Sequence, residues 1–242
     1  MSGKLPFSHF FAQRNGQDQL AIDKLIANNI SVFIAFAFHK LKISPNKTTV
    51  LSGIAGITSL ILSAMLPVDQ IIYPIILIFT AAQISFVLDC ADGLLARATN
   101  NASKFGEFFD HTLDAFSFFI IFGGFFTYLY RYYLSTNDNL FAYLSLLTGF
   151  LIIFAHTIRF LAWINYRHLF GSGEKISPAK DGVAVLILKN FMDHQVSLFG
   201  MLLFLIHPVA AFAVYLAQSI ILLGAYFRYF HRAYHLEYGG NE

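Results

Sequence analysis

The sequence predicts an all-α membrane protein, with six transmembrane helices preceded by a cytoplasmic interfacial amphipathic helix. Three observations lead to this. Of 242 residues, 57% are hydrophobic and 12% charged, against about 25% charged in an ordinary soluble domain, and mean hydropathy is +0.60. Apolar stretches of bilayer-spanning length recur along the chain without internal repeats. Lys and Arg gather in alternate connections between those stretches.

The elements follow in order. The N-terminus, MSGKLPFSHFFAQRNGQDQ, has no compact apolar core followed by a small-residue cleavage site, so no signal peptide is expected. Residues 19–42 alternate apolar and polar side chains at a helical period, and their apolar part, 30–38, is too short to span. An interfacial helix fits that pattern, and it should end before Ser44-Pro45 because a proline disfavours the helical conformation in the residue before it. Span one covers residues 49–66. Span two covers 71–88 without a charge and continues helically into Asp89 and Asp92; Pro74 is expected only to kink it. Span three starts near Phe105, carries Asp110 and Asp114, and ends around Tyr130. Span four runs from 140 to about 158. Span five, 183–206, holds Lys189, Asp193 and His194, so one of its ends should lie at the interface or face the bundle interior. Span six covers 209–227. Residues 1–44 thus form a cytoplasmic segment, 45–230 the membrane domain and 231–242 a cytoplasmic tail.

Orientation follows from the basic residues. With the N-terminus in the cytoplasm, six spans return the C-terminus there, and every Lys and Arg except Arg131 falls on the cytoplasmic side. In a prokaryote the membrane would be the inner or plasma membrane. A net charge of +2 gives no support for nucleic-acid binding. The single cysteine, Cys90, excludes an internal disulfide and a Cys-rich metal site.

Against this apolar background stand Asp89-x2-Asp92 and Asp110-x3-Asp114. A carboxylate at the bilayer centre costs about 3 kcal/mol on insertion scales. Four unpaired ones would cost about 10 kcal/mol, comparable to the stability of a whole domain, and divalent metal is the economical compensation. Asp89 and Asp92 are about 4.5 Å apart along one helix face and Asp110 and Asp114 about 6 Å along theirs. The two helices are antiparallel and joined by a short connection, so these faces can meet. Hard oxygen ligands favour Mg²⁺, Mn²⁺ or Ca²⁺ over zinc. Small residues fall in the same stripes: Gly93 one turn from Asp89, Ala96 one turn from Asp92, and Gly106 in a row with Asp110 and Asp114. They let a helix or a bulky ligand approach the backbone. Arg97 and Lys104 at the mouth could hold phosphate oxygens. Acid, metal, base and space together describe phosphoryl transfer.

The string Asp89-x2-Asp92-Gly93-x2-Ala96-Arg97-x8-Gly106-x3-Asp110-x3-Asp114 resembles the complete motif of the CDP-alcohol phosphotransferases. Ser44-Pro45-Asn46-x2-Thr49 is similar to the opening of that family's first span. The resemblance implies an enzyme that moves a substituted phosphate from a CDP-linked alcohol to the hydroxyl of a second alcohol, releasing CMP and making a phospholipid. It implies Asp89, Asp92, Asp110 and Asp114 as ligands of Mg²⁺ or Mn²⁺ in a two-metal site, with Asp114 also the base for the acceptor hydroxyl. It implies Gly93, Ala96, Arg97 and Gly106 at the cytidine nucleotide. Family members are often homodimers, which an exposed apolar bundle permits.

Chain length and six spans favour CDP-diacylglycerol with a small polar alcohol. Gly106-Glu107-Phe108-Phe109-Asp110-His111 instead resembles the branch that joins CDP-choline or CDP-ethanolamine to diacylglycerol, although Thr112-Leu113 departs from that branch's Gly-Cys. Glu107, His111 and Asp114 share a face, and His111 is the second candidate base. His156 and Arg159, one turn apart near the inner end of span four, are candidates for acceptor binding.

Plainer readings stand beside these. Intramembrane carboxylates also serve ion-pair networks and proton or cation pathways, but a transporter would place acidic groups near the midplane and broken helices in both halves. Lys104 reads as a positive-inside anchor, and Arg167 as an anchor or a substrate contact. The pair His231 and His235 reads as interfacial anchoring, Gly171-Ser172-Gly173 as a turn, Asp193-His194 as a helix cap and Cys90 as a packing residue.

Overall fold

The computed structural model describes residues 5–13, 27–170 and 194–238. Regular structure among them is wholly helical: α1 (Phe7–Gln13), α2 (Ala27–Lys40), α3 (Pro45–Met65), α4 (Ile72–Ala98), α5 (Lys104–Ser135), α6 (Asn139–Phe170), α7 (His194–Leu203) and α8 (Pro208–Tyr238). Five of these, α3, α4, α5, α6 and α8, contain stretches long and apolar enough to cross a membrane. Residues 183–193 of the expected fifth span lie outside the described residues, as do 19–26 of the expected amphipathic helix, the 171–173 turn and Asp193.

α3 begins cleanly because Ser44 is extended (φ −80, ψ 157) and Pro45 supplies the first helical residue. Its buried face is made almost entirely of small side chains: Ser52, Gly53, Gly56, Ser59 and Ser63. That slim face lets α3 pack closely against both α4 and α5, whereas α4 and α5 touch each other little although they are consecutive. The α3–α4 seam is stitched by reciprocal bonds, each serine hydroxyl donating to the other's carbonyl: Ser52 Oγ to Ser85 O and Ser85 Oγ to Ser52 O, both at 2.9 Å. A methyl group on Gly56 would sit 3.4 Å from the hydroxyls of both Ser85 and Ser117, so that position holds the three helices at close quarters.

Three boundaries depart from expectation. Pro74 sits in the first turn of α4, where a missing N–H breaks no hydrogen bond; it starts the helix rather than kinking it. α5 runs on to Ser135, about a turn past Tyr130. α6 extends to Phe170, about three turns past residue 158. Arg159 ends the uninterrupted apolar run but not the helix, because Phe160, Trp163 and Ile164, all partly buried, sustain the packing face. His156 and Arg159 therefore lie well inside α6 rather than near its end.

At the end of the bundle away from the aspartates, Arg131 donates from Nη1 to Ser63 O at 3.0 Å and Ala64 O at 2.7 Å. These are among the last carbonyls of α3, which the helix leaves unsatisfied. The one basic residue that breaks the charge asymmetry is thus a helix cap. Tyr128 donates to Gln70 O nearby at 2.7 Å.

α6 and α8 run parallel, with Phe141 stacked on Phe212 at 5.7 Å at one end and Tyr166 near Tyr229 at 5.7 Å at the other. The core between them and α5 is aromatic: Phe126 meets Tyr215 edge-on at 5.1 Å and Phe204 meets Phe212 at 4.9 Å. α7 is tied in by polar bonds, Gln83 Nε2 of α4 donating to Gln195 Oε1 at 3.1 Å and the Tyr215 hydroxyl donating to Ser197 O. On the far side of α4, α1 buries Phe10 against Ala91, Leu94, Leu95 and Ala98, and His9 Nε2 lies 3.0 Å from Ala98 O at the helix end. α2 packs there too, burying Ala27, Val32 and Ala35 while leaving Phe33 65% exposed. No sequence signal had marked α1.

Gly149 of α6 faces Phe126 so closely that a Cβ would lie 2.7 Å from it, whereas a Cβ on Gly224 meets nothing within 4 Å. Gly149→Val should therefore lower the thermal midpoint in detergent by roughly 5 °C, while Gly224→Ala, in open space inside a helix, should leave it no lower than wild type; both are read by tryptophan fluorescence melting.

Candidate active site

The carboxylates come from α4 and α5, which converge where α3 holds them a short distance apart. Running antiparallel, they bring Asp89 near Asp114 and Asp92 near Asp110. One carboxylate oxygen from each of Asp89, Asp92 and Asp110 falls within 4.8 Å of the others, and the same holds for Asp110, Asp114 and a ring nitrogen of His111. The expected meeting of the two faces is present, across a gap rather than a packed seam.

Asp92 is buried at 3% exposure and sits against Thr49 of α3. Its Oδ2 and Oδ1 of Asp110 are buried without a hydrogen-bond partner. Among the described residues, no Lys or Arg nitrogen comes within ion-pairing distance of the four aspartates. Arg97 lies close enough to Asp92 and Asp110 to interact with both electrostatically. Four crowded anions with orphaned acceptor oxygens fit a hard divalent cation, which supplies positive charge and accepts several oxygens at once.

Asp89, Gly93 and Arg97 lie at i, i+4 and i+8 on α4 and face Asp110 and Asp114 across a cavity of about 290 Å³. Ser52, Ser85 and Ser117 add hydroxyls to its wall, and Phe86, Ile121, Phe122 and Leu198 make it apolar elsewhere. Ser117 Oγ is buried and unpartnered. Sequence reasoning missed these serines; Ser117 could have been found three residues beyond Asp114 on the same face, whereas Ser52 and Ser85 come from tertiary packing. Cys90, expected as packing, also lines the cavity.

The small motif residues divide. A Cβ on Gly93 would lie 3.2 Å from Arg97 Nη1, so this glycine makes room for the guanidinium. A Cβ on Gly106 would lie 3.1 Å from Ser103 Oγ, the side chain that caps α5 by accepting from Gly106 N at 3.0 Å. Ala96 and Gly106 are not in the cavity wall, and neither is Asp92. His111 points toward α6, edge-on to Trp163 at 5.3 Å and Phe160 at 6.2 Å, with Nε2 3.9 Å from Glu107 Oε1. His156 stacks on Phe118 at 3.8 Å; Phe118 lines the cavity, while His156 and Arg159 do not. Lys104 is exposed at the start of α5, and His231 is exposed on α8. The side chains of Arg167 and His235 lie outside the described residues.

The site is thus an acidic cavity beside an arginine, set among helices long and apolar enough to cross a membrane. A family model for CDP-alcohol phosphatidyltransferase matches residues 42–230, from just before α3 into the last turns of α8. The chain belongs to that family and is a phosphotransferase. A search of curated proteins returned no match.

Mn²⁺ or Mg²⁺ should raise the thermal midpoint of the wild-type protein, by the equivalent of about 2.7 kcal/mol at a hundredfold excess over Kd. The Asp92→Asn/Asp110→Asn double variant should melt no lower than wild type without metal, because a repulsion is removed, and should lose most of the metal-dependent rise. Differential scanning fluorimetry across a metal series reads both.

Proposed function

We propose that the enzyme transfers the phosphatidyl group of CDP-diacylglycerol to the hydroxyl of a small polar alcohol, releasing CMP. The observation that carries this reading is the convergence of Asp89, Asp110 and Asp114 on one cavity that also holds Arg97, with a carboxylate oxygen of Asp92, outside the cavity wall, within 4.8 Å of those of Asp89 and Asp110. Asp89, Asp92 and Asp110 would hold one Mg²⁺ or Mn²⁺, and Asp110 with Asp114 a second. Such ions supply neutralisation of the diphosphate and of the charge that gathers on the leaving phosphate.

The residues of the chain do the rest. Arg97, given room by Gly93, holds diphosphate oxygens in bidentate fashion. Gly93, Ala96 and Gly106 keep side-chain bulk away from the nucleotide. Asp114 takes the proton of the acceptor hydroxyl, with His111 the alternative base. The hydroxyl oxygen attacks the phosphorus that bears diacylglycerol, the phosphoanhydride bond breaks, and CMP departs with the bridging oxygen. On the acceptor side are His156 and Arg159 of α6, reached past Phe118.

The connectivity supports six spans with both termini in the cytoplasm. α3 starts and α8 finishes at the aspartate end, so the chain makes an even number of crossings between them. α6 finishes at that end and α7 finishes at the other, which adds one crossing to the five apolar helices. The clustering of Lys and Arg then puts the site on the cytoplasmic side, with α2 lying in the interface and residues 45–230 forming the catalytic domain. An inner or plasma membrane fits a prokaryotic source. The resemblance of the run from Gly106 to His111 to the other branch supports the second reading, transfer from CDP-choline or CDP-ethanolamine to diacylglycerol.

The deciding assay is CMP release by purified protein in lipid with Mg²⁺ or Mn²⁺. One arm offers CDP-diacylglycerol with a panel of polar alcohols; the other offers diacylglycerol with CDP-choline or CDP-ethanolamine. Lipid product in the first arm supports the proposal, product in the second replaces the donor, and silence in both overturns it. Asp114→Asn should reduce turnover at least about 100-fold in a folded protein; near-normal turnover would move the base to His111. Asp89→Asn should shift the metal titration to higher concentration, and an unshifted curve would remove Asp89 from the ligand set.

A further inference from the structure

The cavity between α4 and α5 changes character with depth. Arg97 marks its mouth near the end of α4, and Asp89, Asp110 and Asp114 follow. Further into the bundle the wall turns to hydroxyls. Ser85 lies about 6 Å beyond Asp89 along α4, and Ser117 about 4.5 Å beyond Asp114 along α5. Ser52 of α3 joins them, and deeper still are Ala82, Ile121, Phe122 and Leu198. Among the described residues of the wall, no basic side chain accompanies the serines. Their level suits an uncharged hydroxyl better than a phosphate.

The serines are not equivalent. Ser52 and Ser85 each donate to the other's carbonyl at 2.9 Å, so their protons are committed. Thr112 and Thr127, on the same helix as Ser117, donate to the carbonyl four residues back at 2.7 Å, the local outlet open to a helix hydroxyl. Ser117 takes neither route. It is 8% exposed, and its Oγ has no hydrogen-bond partner. That oxygen lies 3.4 Å from where a Cβ on Gly56 of α3 would be, so the glycine leaves it uncovered on that side. A buried hydroxyl without a partner costs stability, which a ligand oxygen at the same place would recover.

We propose that Ser117 holds the acceptor alcohol, donating from Oγ to the oxygen that attacks phosphorus. Phosphoryl transfer sets the entering and leaving oxygens roughly in line. With the nucleotide at Gly93 and Arg97, the leaving oxygen faces the mouth and the entering one faces the serines. There the acceptor oxygen gives its proton to Asp114, accepts a hydrogen bond from Ser117 and turns its remaining lone pair to phosphorus. The oxygen–phosphorus bond forms as the bond to CMP breaks, and Ser117 keeps its own proton. This role for Ser117 rests on the transferase reading and holds for either donor.

The test uses Ser117→Ala and Ser117→Cys in lipid, with Mg²⁺ or Mn²⁺ and the donor–acceptor pair that the wild type turns over. Each substrate is varied with the other saturating. Ser117→Ala should lower kcat/KM for the acceptor about tenfold, the loss of one uncharged hydrogen bond, and change the donor KM less than about twofold. Ser117→Cys, a weak donor of similar shape, should fall between. Neither should lower the thermal midpoint, because no bond within the protein is lost. An acceptor kcat/KM within about twofold of wild type would overturn the assignment, as would an equal rise in the donor KM. A lower midpoint for Ser117→Ala would overturn it too, by giving the hydroxyl a structural role. Wild-type turnover in either arm of the CMP-release assay tests the transferase reading separately; silence in both removes that reading, and the role of Ser117 with it.

Discussion

Mutual repulsion among four carboxylates shapes this protein more than any other interaction. Asp89, Asp92, Asp110 and Asp114 are drawn together from two helices, and among the described residues no Lys or Arg side chain forms an ion pair with them. Each unpaired charge of this kind costs a few kcal/mol in a membrane, and a domain has little stability to spare. Such a site calls for something positive to complete it. A divalent cation would do that, and its use in steadying a diphosphate would link the electrostatic cost to the chemistry of the family.

The architecture keeps the charged site open. If α4 and α5 packed tightly, their carboxylates would be forced into contact with no space for a substrate. α3 prevents this by lying against both, and it can do so because its inner face is serine and glycine. Serine hydroxyls bonded across to carbonyls bring the backbones close without bulk, a device suited to lipid, where burying large apolar side chains between helices brings little gain. The same small residues then become cavity wall at Ser52, Ser85 and Ser117. α1 and α2 brace the opposite face of α4, with Phe10 buried near its C-terminal turns. Arg131 secures the distant end of α3.

Much of this was legible in the chain because the relevant signals are local. Aspartates three or four residues apart declare their shared helix face, and long apolar runs declare helices α3, α4, α5, α6 and α8. Signals that depend on tertiary packing were not legible. The stripe of small residues in α3 has the spacing of a packing face but does not name its two partners. Pro74 looked like a kink because hydropathy blurs where α4 begins. Arg159 looked like a terminus because one charge ends an apolar window, while helical hydrogen bonding continues for several more turns. His156 was chosen for its place near the expected helix end; Phe118, which intervenes, comes from another helix.

The most direct measurement is an anomalous difference map from crystals of the protein grown with Mn²⁺. The account predicts manganese peaks between Asp89 and Asp92 of α4 and Asp110 and Asp114 of α5, within bonding distance of their carboxylates. Manganese bound only elsewhere, or the four aspartates turned away to pair with Lys and Arg, would contradict it.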